Sequence, residues 1–280
     1  PLLGLVSNSK AKNVEIVGEG GSCTLKMASS KATLPLIPFD QAVWSMPRPQ
    51  GTGIDLNEDL LAAIRHVMLS ADDGVGISLI GDHGSKFLEL YSSNDRSLAW
   101  GMAATKVGGK GFRVEITPAF CARVLDVCKE GGSLHIEPDH VMAVAANGTS
   151  VFSRLIHSDK PLDYGGALEH ALPKDYQSFL VETPARLALA VDRALVLAGG
   201  DITPVRHTMK EGVLHLALDS MMGQLREEVP LGVDYKLNTK FDVALIKRGL
   251  PHTDSIMFTD NCAVMCSGEH NGYIVSCLAS

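Results

Sequence analysis

Residues 132–156 read GSLHIEPDHVMAVAANGTSVFSRLI. Leu134 and Ile136 alternate with polar neighbours, Glu137 to Asp139 makes a turn, and 141–145 alternates again. Asn147-Gly148 is a hairpin signal, and 151–156 is the returning strand. The passage occurs twice more. At the far end, DSIMFTDNCAVMCSGEHNGYIVSCLA runs from Asp254 and repeats strand, turn, strand, hairpin and strand. Near the start, KNVEIVGEGGSCTLKMASSKATLPLI supplies Val14 and Ile16, a Gly-rich turn, then strands over 23–27 and 32–37.

Each copy follows a helical pattern. Before the 132 copy stands TPAFCARVLDVCKEGG, with Pro118 in the first turn and Phe120, Val124, Leu125 and Cys128 at helical spacing. Before the 254 copy stands LNTKFDVALIKRGLP, where Asn238 is the expected N-cap and Phe241, Leu245 and Ile246 the apolar stripe. Before the first copy, PLLGLVSNS reads as the tail of a helix. A second half-unit lies between the copies. From Thr52 the pattern predicts a strand, a helix over 57–71 and strands near 75–80, 86–92 and 97–103. From Ser178 the same β-α-β-β-β order returns, with its helix over 184–198. A period of about 100–120 residues means duplicated domains, not a solenoid of small units. The expected domains are 1–47, the second half of a first domain, then 48–172 and 173–280.

With 280 residues, 45% hydrophobic and 20% charged, the chain has ordinary globular composition. No apolar run approaches a membrane span, and PLLGLV is too short for a secretory leader. The six cysteines (23, 121, 128, 262, 266 and 277) sit inside periodic elements and read as buried small hydrophobes in a reducing cytoplasm. Cys262-x-x-x-Cys266 lies on a strand and lacks metal-knuckle spacing. No cofactor is implied. GDHGSK at 81–86 is too short for a phosphate loop, and GVGISLIG has the wrong glycine spacing for a dinucleotide site. His135 and His140 straddle a turn as surface histidines, and Asp72-Asp73 reads as solvated. No carboxylate-histidine cluster recurs in the repeats. A repeated scaffold without a catalytic constellation points to binding or architecture.

Net charge is −7, yet each expected helix carries basic residues. Arg65, Arg123, Lys129, Arg186, Arg193, Lys240 and Lys247 are the candidates. Arg186 and Arg193 stand seven apart on one helix face, and Lys240 and Lys247 are expected to do the same. Solvated helix faces would carry such residues anyway. The alternative is one common surface that attracts phosphates while the outside stays acidic.

The order of elements, together with VFSRLIHSDKPLDY (151–164), LELYSSNDRSLAWGM (88–102), SKATLPLIPFD (30–40), LNTKFDVALIKRGL and the terminal YIVSCLAS, resembles the bacterial sliding clamp, the beta subunit of DNA polymerase III. The resemblance is collinear over the chain and leaves about the first half of domain one without a counterpart. It implies an α+β fold of repeated βαβββ units forming DNA-clamp domains, with helices lining a ring and antiparallel sheets outside. It further implies a cytoplasmic, non-catalytic head-to-tail homodimer around double-stranded DNA. The implied partners are the polymerase III alpha subunit, clamp-loader subunits and other clamp-binding-motif proteins.

Carried over by position, the partner-peptide pocket takes Arg96, Ser97 and Leu98; Leu162 and Ala167; Asn238 and Phe241; Cys262 and Val264; and Val275, Ser276, Cys277 and Leu278. The dimer seam takes Leu34, Val196 and Leu197. NDRSL stands for the family's DGHRL, Leu162 for a proline, Gly165-Gly166 for basic residues, and SCLAS for MPMRL, which implies an altered peptide preference. Two other readings stay open on the residues themselves: a monomeric, non-ring nucleic-acid-binding module, and an enzyme built on repeated sheets.

Overall fold

The structure is a computed structural model. It describes residues 13–19, 22–27, 30–35, 49, 53–72, 75–107, 111–157, 163–172, 174, 176–198, 202–233 and 235–278. The expected helix tail at 1–9, Asp73 and the pocket residue Leu162 lie outside these. The chain divides into two compact units, Pro1–Arg48 and Pro49–Ser280.

The first unit holds an antiparallel meander of β1 (Val14–Glu19), β2 (Ser22–Met27) and β3 (Ser30–Pro35). Leu25 and Met27 are its buried residues. Lys26 pairs with Glu15 at 3.2 Å on the exposed side.

The second unit writes one pattern four times. The first round is β4 (Ile54–Asp55), α1 (Glu58–Val67), β5 (Ile77–Gly81), β6 (Phe87–Ser93) and β7 (Ser97–Ala104). Next come β8 (Phe112–Ile116), α2 (Pro118–Val127), β9 (Gly132–Ile136), β10 (His140–Ala145) and β11 (Ser150–Arg154). Two short helices, α3 (Tyr164–Ala171) and α4 (Tyr176–Phe179), lead to β12 (Val181–Glu182), α5 (Ala185–Ala198), β13 (Pro204–Lys210), β14 (Val213–Ser220) and β15 (Gly223–Pro230). The last round is β16 (Asn238–Asp242), α6 (Val243–Gly249), β17 (Ser255–Phe258), β18 (Cys262–Ser267) and β19 (Asn271–Ser276).

Local chemistry sets the helix starts. Asn57 Oδ1 accepts the Leu60 N–H at 2.9 Å, and Thr117 Oγ1 accepts that of Phe120 at 3.1 Å ahead of Pro118. α1 ends four residues before its expected limit, because Leu69 and Ser70 bond back three residues to His66 and Val67. Leu187, Ala190, Val191 and Ala194 form the buried stripe of α5.

One expectation is overturned. Residues 238–242 are strand, not helix, and Asn238 is not a cap. Thr239 and Phe241 stand opposite His207 and Val205 on β13, and the true cap is Asp242, whose Oδ1 accepts the Ala244 N–H at 3.1 Å.

Three antiparallel sheets result. Four strands run β11-β10-β9-β4, and four run β15-β14-β13-β16. The third sheet has eight strands, β12-β17-β18-β19-β7-β6-β5-β8, because β19 pairs with β7 from Asn271↔Gly101 to Val275↔Ser97. Strands from distant parts of the sequence are thus hydrogen-bonded into one surface. Helix α1 packs on β6, β7 and β19, while α5 packs on β14, β15 and α6.

Candidate functional site

The β7–β19 seam is sealed by a polar knot. Asn94 Oδ1 accepts the N–H groups of Arg96 (3.0 Å) and Ser97 (2.8 Å), and its amide donates to Asp72 Oδ2 at 2.8 Å. Arg96 Nη1 donates to Asp242 Oδ2 at 3.1 Å, and that carboxylate is only 2% exposed. The other Asp242 oxygen accepts Thr203 and Ala244 N–H groups, so the buried charge is fully coordinated. Arg248 Nη1 crosses the same seam to the Leu69 carbonyl at 3.0 Å. Sequence reading missed Asn94, and treated Asp72 as merely solvated. An Asn-Asp turn between two strands is the signal that could have found Asn94.

The face of the seam opposite α1 carries a second apolar cluster. Trp100, Met257, Cys262, Val264, Cys266 and Ile274 are buried there, beneath Leu168, Ala171 and Leu172 at the end of α3 and just beyond it. Cys262 Sγ donates to the Ala171 carbonyl at 3.5 Å. Burial raises the Cys262 thiol and pushes the Cys266 thiol up to about 12, so both stay protonated near neutrality.

The expected pocket residues therefore separate into groups. Leu98, Cys262 and Val264 meet in this apolar cluster. Asn238, Cys277 and Leu278 meet elsewhere, lining a concavity of about 460 Å3 with Arg206, Lys240 and Asp260. Leu278 is held there by its N–H to the Lys240 carbonyl at 2.8 Å. Ala167 and Ser276 are exposed.

Three pocket residues are not available as walls. Phe241 is wholly buried, edge-on to His207 with ring centroids 5.1 Å apart. Val275 is core. Ser97 is buried, its hydroxyl donating to Asn94 and accepting from Ser70 at 3.0 Å.

The basic candidates also divide. Arg65, Arg123, Lys129, Arg186 and Arg193 are exposed on or just beyond α1, α2 and α5. Three are engaged by acids: Arg123 by Asp126 at 3.4 Å, Arg193 by Glu227 at 2.6 Å, and Lys247 on α6 by Asp192 at 2.6 Å. Lys240 does not share a helix face with Lys247. It lies on β16, where alternation with buried Phe241 turns it to the opposite face of the sheet.

At the seam candidates, Leu34 on β3 is half-buried. Val196 is 78% exposed, but Leu197 packs against the core. Ser220 Oγ donates to the Leu197 carbonyl at 2.7 Å, which brings the β14–β15 turn to the end of α5. Met221 and Met222 in that turn are 104% and 70% exposed. The sequence reading passed over this Met-Met turn.

No family model matches the chain, and no curated relative does. Solved structures match it along its whole length. The DNA polymerase III subunit beta of Pseudomonas aeruginosa superposes with TM-score 0.79 at 17% identity, covering 100% of this chain and 80% of that one. The chain has the sliding-clamp fold. The beta chain of Streptococcus pneumoniae matches with TM-score 0.78 at 15% identity over 100% of this chain and 78% of its own. The beta subunit of Thermotoga maritima gives 0.75 at 17% over 99% and 79%. The clamp's α+β class and repeated βαβββ units are those read from the sequence. No described helix is long and apolar enough to cross a membrane.

Proposed function

We propose that the chain is a DNA sliding clamp: a non-catalytic processivity factor that closes around duplex DNA as a head-to-tail homodimer. In this reading it tethers the polymerase III alpha subunit, clamp-loader subunits and other proteins bearing a clamp-binding motif, in the cytoplasm. Residues 1–47 are then the second half of one clamp domain, with 48–172 and 173–280 as two whole ones. The observation that carries the reading is the fourfold βαβββ repeat fused through β7 and β19, matched along the chain by proteins described as sliding clamps.

A closed ring stays on DNA by topology, so its contacts need only be weak and blind to sequence. Exposed Arg65, Lys129 and Arg186 suit that role best, since none makes an ion pair among the described residues. Arg123, Arg193 and Lys247 are partly neutralised by their acids and contribute less. Leu34 in one copy and the exposed Val196, Met221 and Met222 in the other form the ring seam, while Leu197 supports the fold beneath them.

Titration of a duplex at several salt concentrations tests the reading. Substituting Arg65, Lys129 or Arg186 by Gln reduces the log–log salt slope by about 1 each, with similar loss on every sequence. Strong base preference, or binding indifferent to salt, contradicts it.

A further inference from the structure

A concavity of about 490 Å3 lies on the sheet face opposite α1. Trp100 and Cys266 form its floor, and Tyr176 and Leu180, on α4 and just beyond it, form one wall. None of the residues expected in the partner pocket lines it. Trp100 is fixed there, since its ring lies over Gly272 across the β7–β19 pair. More aromatic surface stands close by. Phe87, 37% exposed, meets the ring of the lining residue His270 with centroids 5.7 Å apart, and Phe179, next to Leu180, is 46% exposed. The rim is also acidic. Glu269 lines it, is exposed and makes no ion pair among the described residues. Asp254 lies behind it, its Oδ2 accepting the Gly268 N–H at 2.8 Å, a bond that does not neutralise a carboxylate. No lysine or arginine lines the concavity.

We propose that this concavity docks an arginine-bearing segment of a partner protein. The guanidinium lies against Tyr176 above the Trp100 floor, with Glu269 as its counter-ion, and apolar neighbours in the segment cover Phe87 and Phe179. Arginine suits such a place because its planar, weakly hydrated head stacks on aromatic rings while donating to a carboxylate. Charge complementarity selects the occupant. A chain of net charge −7 draws basic segments towards it, and an acidic rim with no basic lining holds them. Duplex DNA fits worse, since Glu269 and Asp254 repel phosphates. A small organic cation fits worse too, since it leaves Phe87 and Phe179 in water. The site does not depend on ring closure.

The test reads the fluorescence of Trp100 in the full chain carrying Trp44→Phe, which removes the other tryptophan. Two short blocked peptides are titrated at about pH 8, where ordinary imidazoles are neutral. Each has leucine on both sides of a central residue, arginine in one and its neutral isostere citrulline in the other. The arginine peptide changes the Trp100 emission and binds about three- to tenfold more tightly at low salt, and added salt narrows the gap. Glu269→Gln brings the arginine peptide down to the citrulline level. Gln177→Arg, which sets a cation on the rim, weakens the arginine peptide more than the citrulline one. Both substitutions are at exposed positions, and an unchanged melting temperature checks the fold of each variant. Equal affinity for the two peptides, or an unchanged arginine preference in Glu269→Gln, overturns the proposal, as does binding of neither peptide. Displacement of the arginine peptide by duplex assigns the concavity to DNA and overturns it as well.

Discussion

The β7–β19 seam and the β15 end of the second unit make a useful contrast. At the seam, the strands are hydrogen-bonded from end to end, Trp100 covers Gly272 across the pair, and Arg96, Asn94 and Asp242 satisfy one another. At the other end, β15 is the outermost strand of its sheet, and Val196, Met221 and Met222 stand in solvent. The first is a finished joint between repeats. The second has the chemistry of a joint, apolar side chains beside a strand edge, and none of the described residues of this unit finishes it.

The contrast breaks most visibly at Gly272. A Cβ there would overlap the Trp100 ring, which has no room to retreat beneath α3 and α4. Gly272→Val is expected to cost about 3 kcal/mol, read as a lower denaturation midpoint, because overpacking a rigid aromatic forces backbone movement. An unchanged midpoint would mean that the seam is loosely packed.

Acid sharpens the same comparison. Burial lowers His66, on α1 beside Gly272, to about 4, and likewise lowers His207 to about 4 between Phe241 and Phe258. Both are depressed below the unfolded value of about 6.5, so the unfolded chain binds more protons in between. Stability is therefore full above about pH 6.5 and declines as the pH falls towards 4, by several kcal/mol for the two together. His66→Phe or His207→Phe should flatten that decline, measured by denaturation across the range. A profile that stays flat between pH 6.5 and 4 would refute the buried neutral state.

The smallest effect on stability belongs to the open end. Val196→Asp, at an exposed position, is expected to change stability by less than about 0.5 kcal/mol. In sedimentation it should nonetheless abolish self-association. Leu197→Asp cannot separate the two effects, since Leu197 also packs into the core. A Val196→Asp protein that still dimerises would remove this end from the ring seam.

The three-strand passages, the helix stripes of α1, α2 and α5, and the repeat order were legible in the sequence because each rests on local periodicity. Residues 238–242 were not. NTKFD followed by an apolar stripe reads as a capped helix, and only the pairing of Thr239 and Phe241 with β13 makes it a strand. That misreading carried Lys240 on to the wrong face, while Phe241 was expected in the pocket through the resemblance and is core. The candidate cleft was half legible: Asn238, Cys277 and Leu278 do meet, but their neighbour Arg206 is reached only through sheet register. Asn94, Met221 and Met222 carry no periodic signal, so their roles emerge only when the turns that hold them are seen.

The central claim is topological. The protein assembled on nicked circular duplex and passed through gel filtration in high salt should stay with the DNA, and cutting the circle once should release it. Equal retention before and after linearisation, or no retention on the circle at all, would contradict a sliding ring.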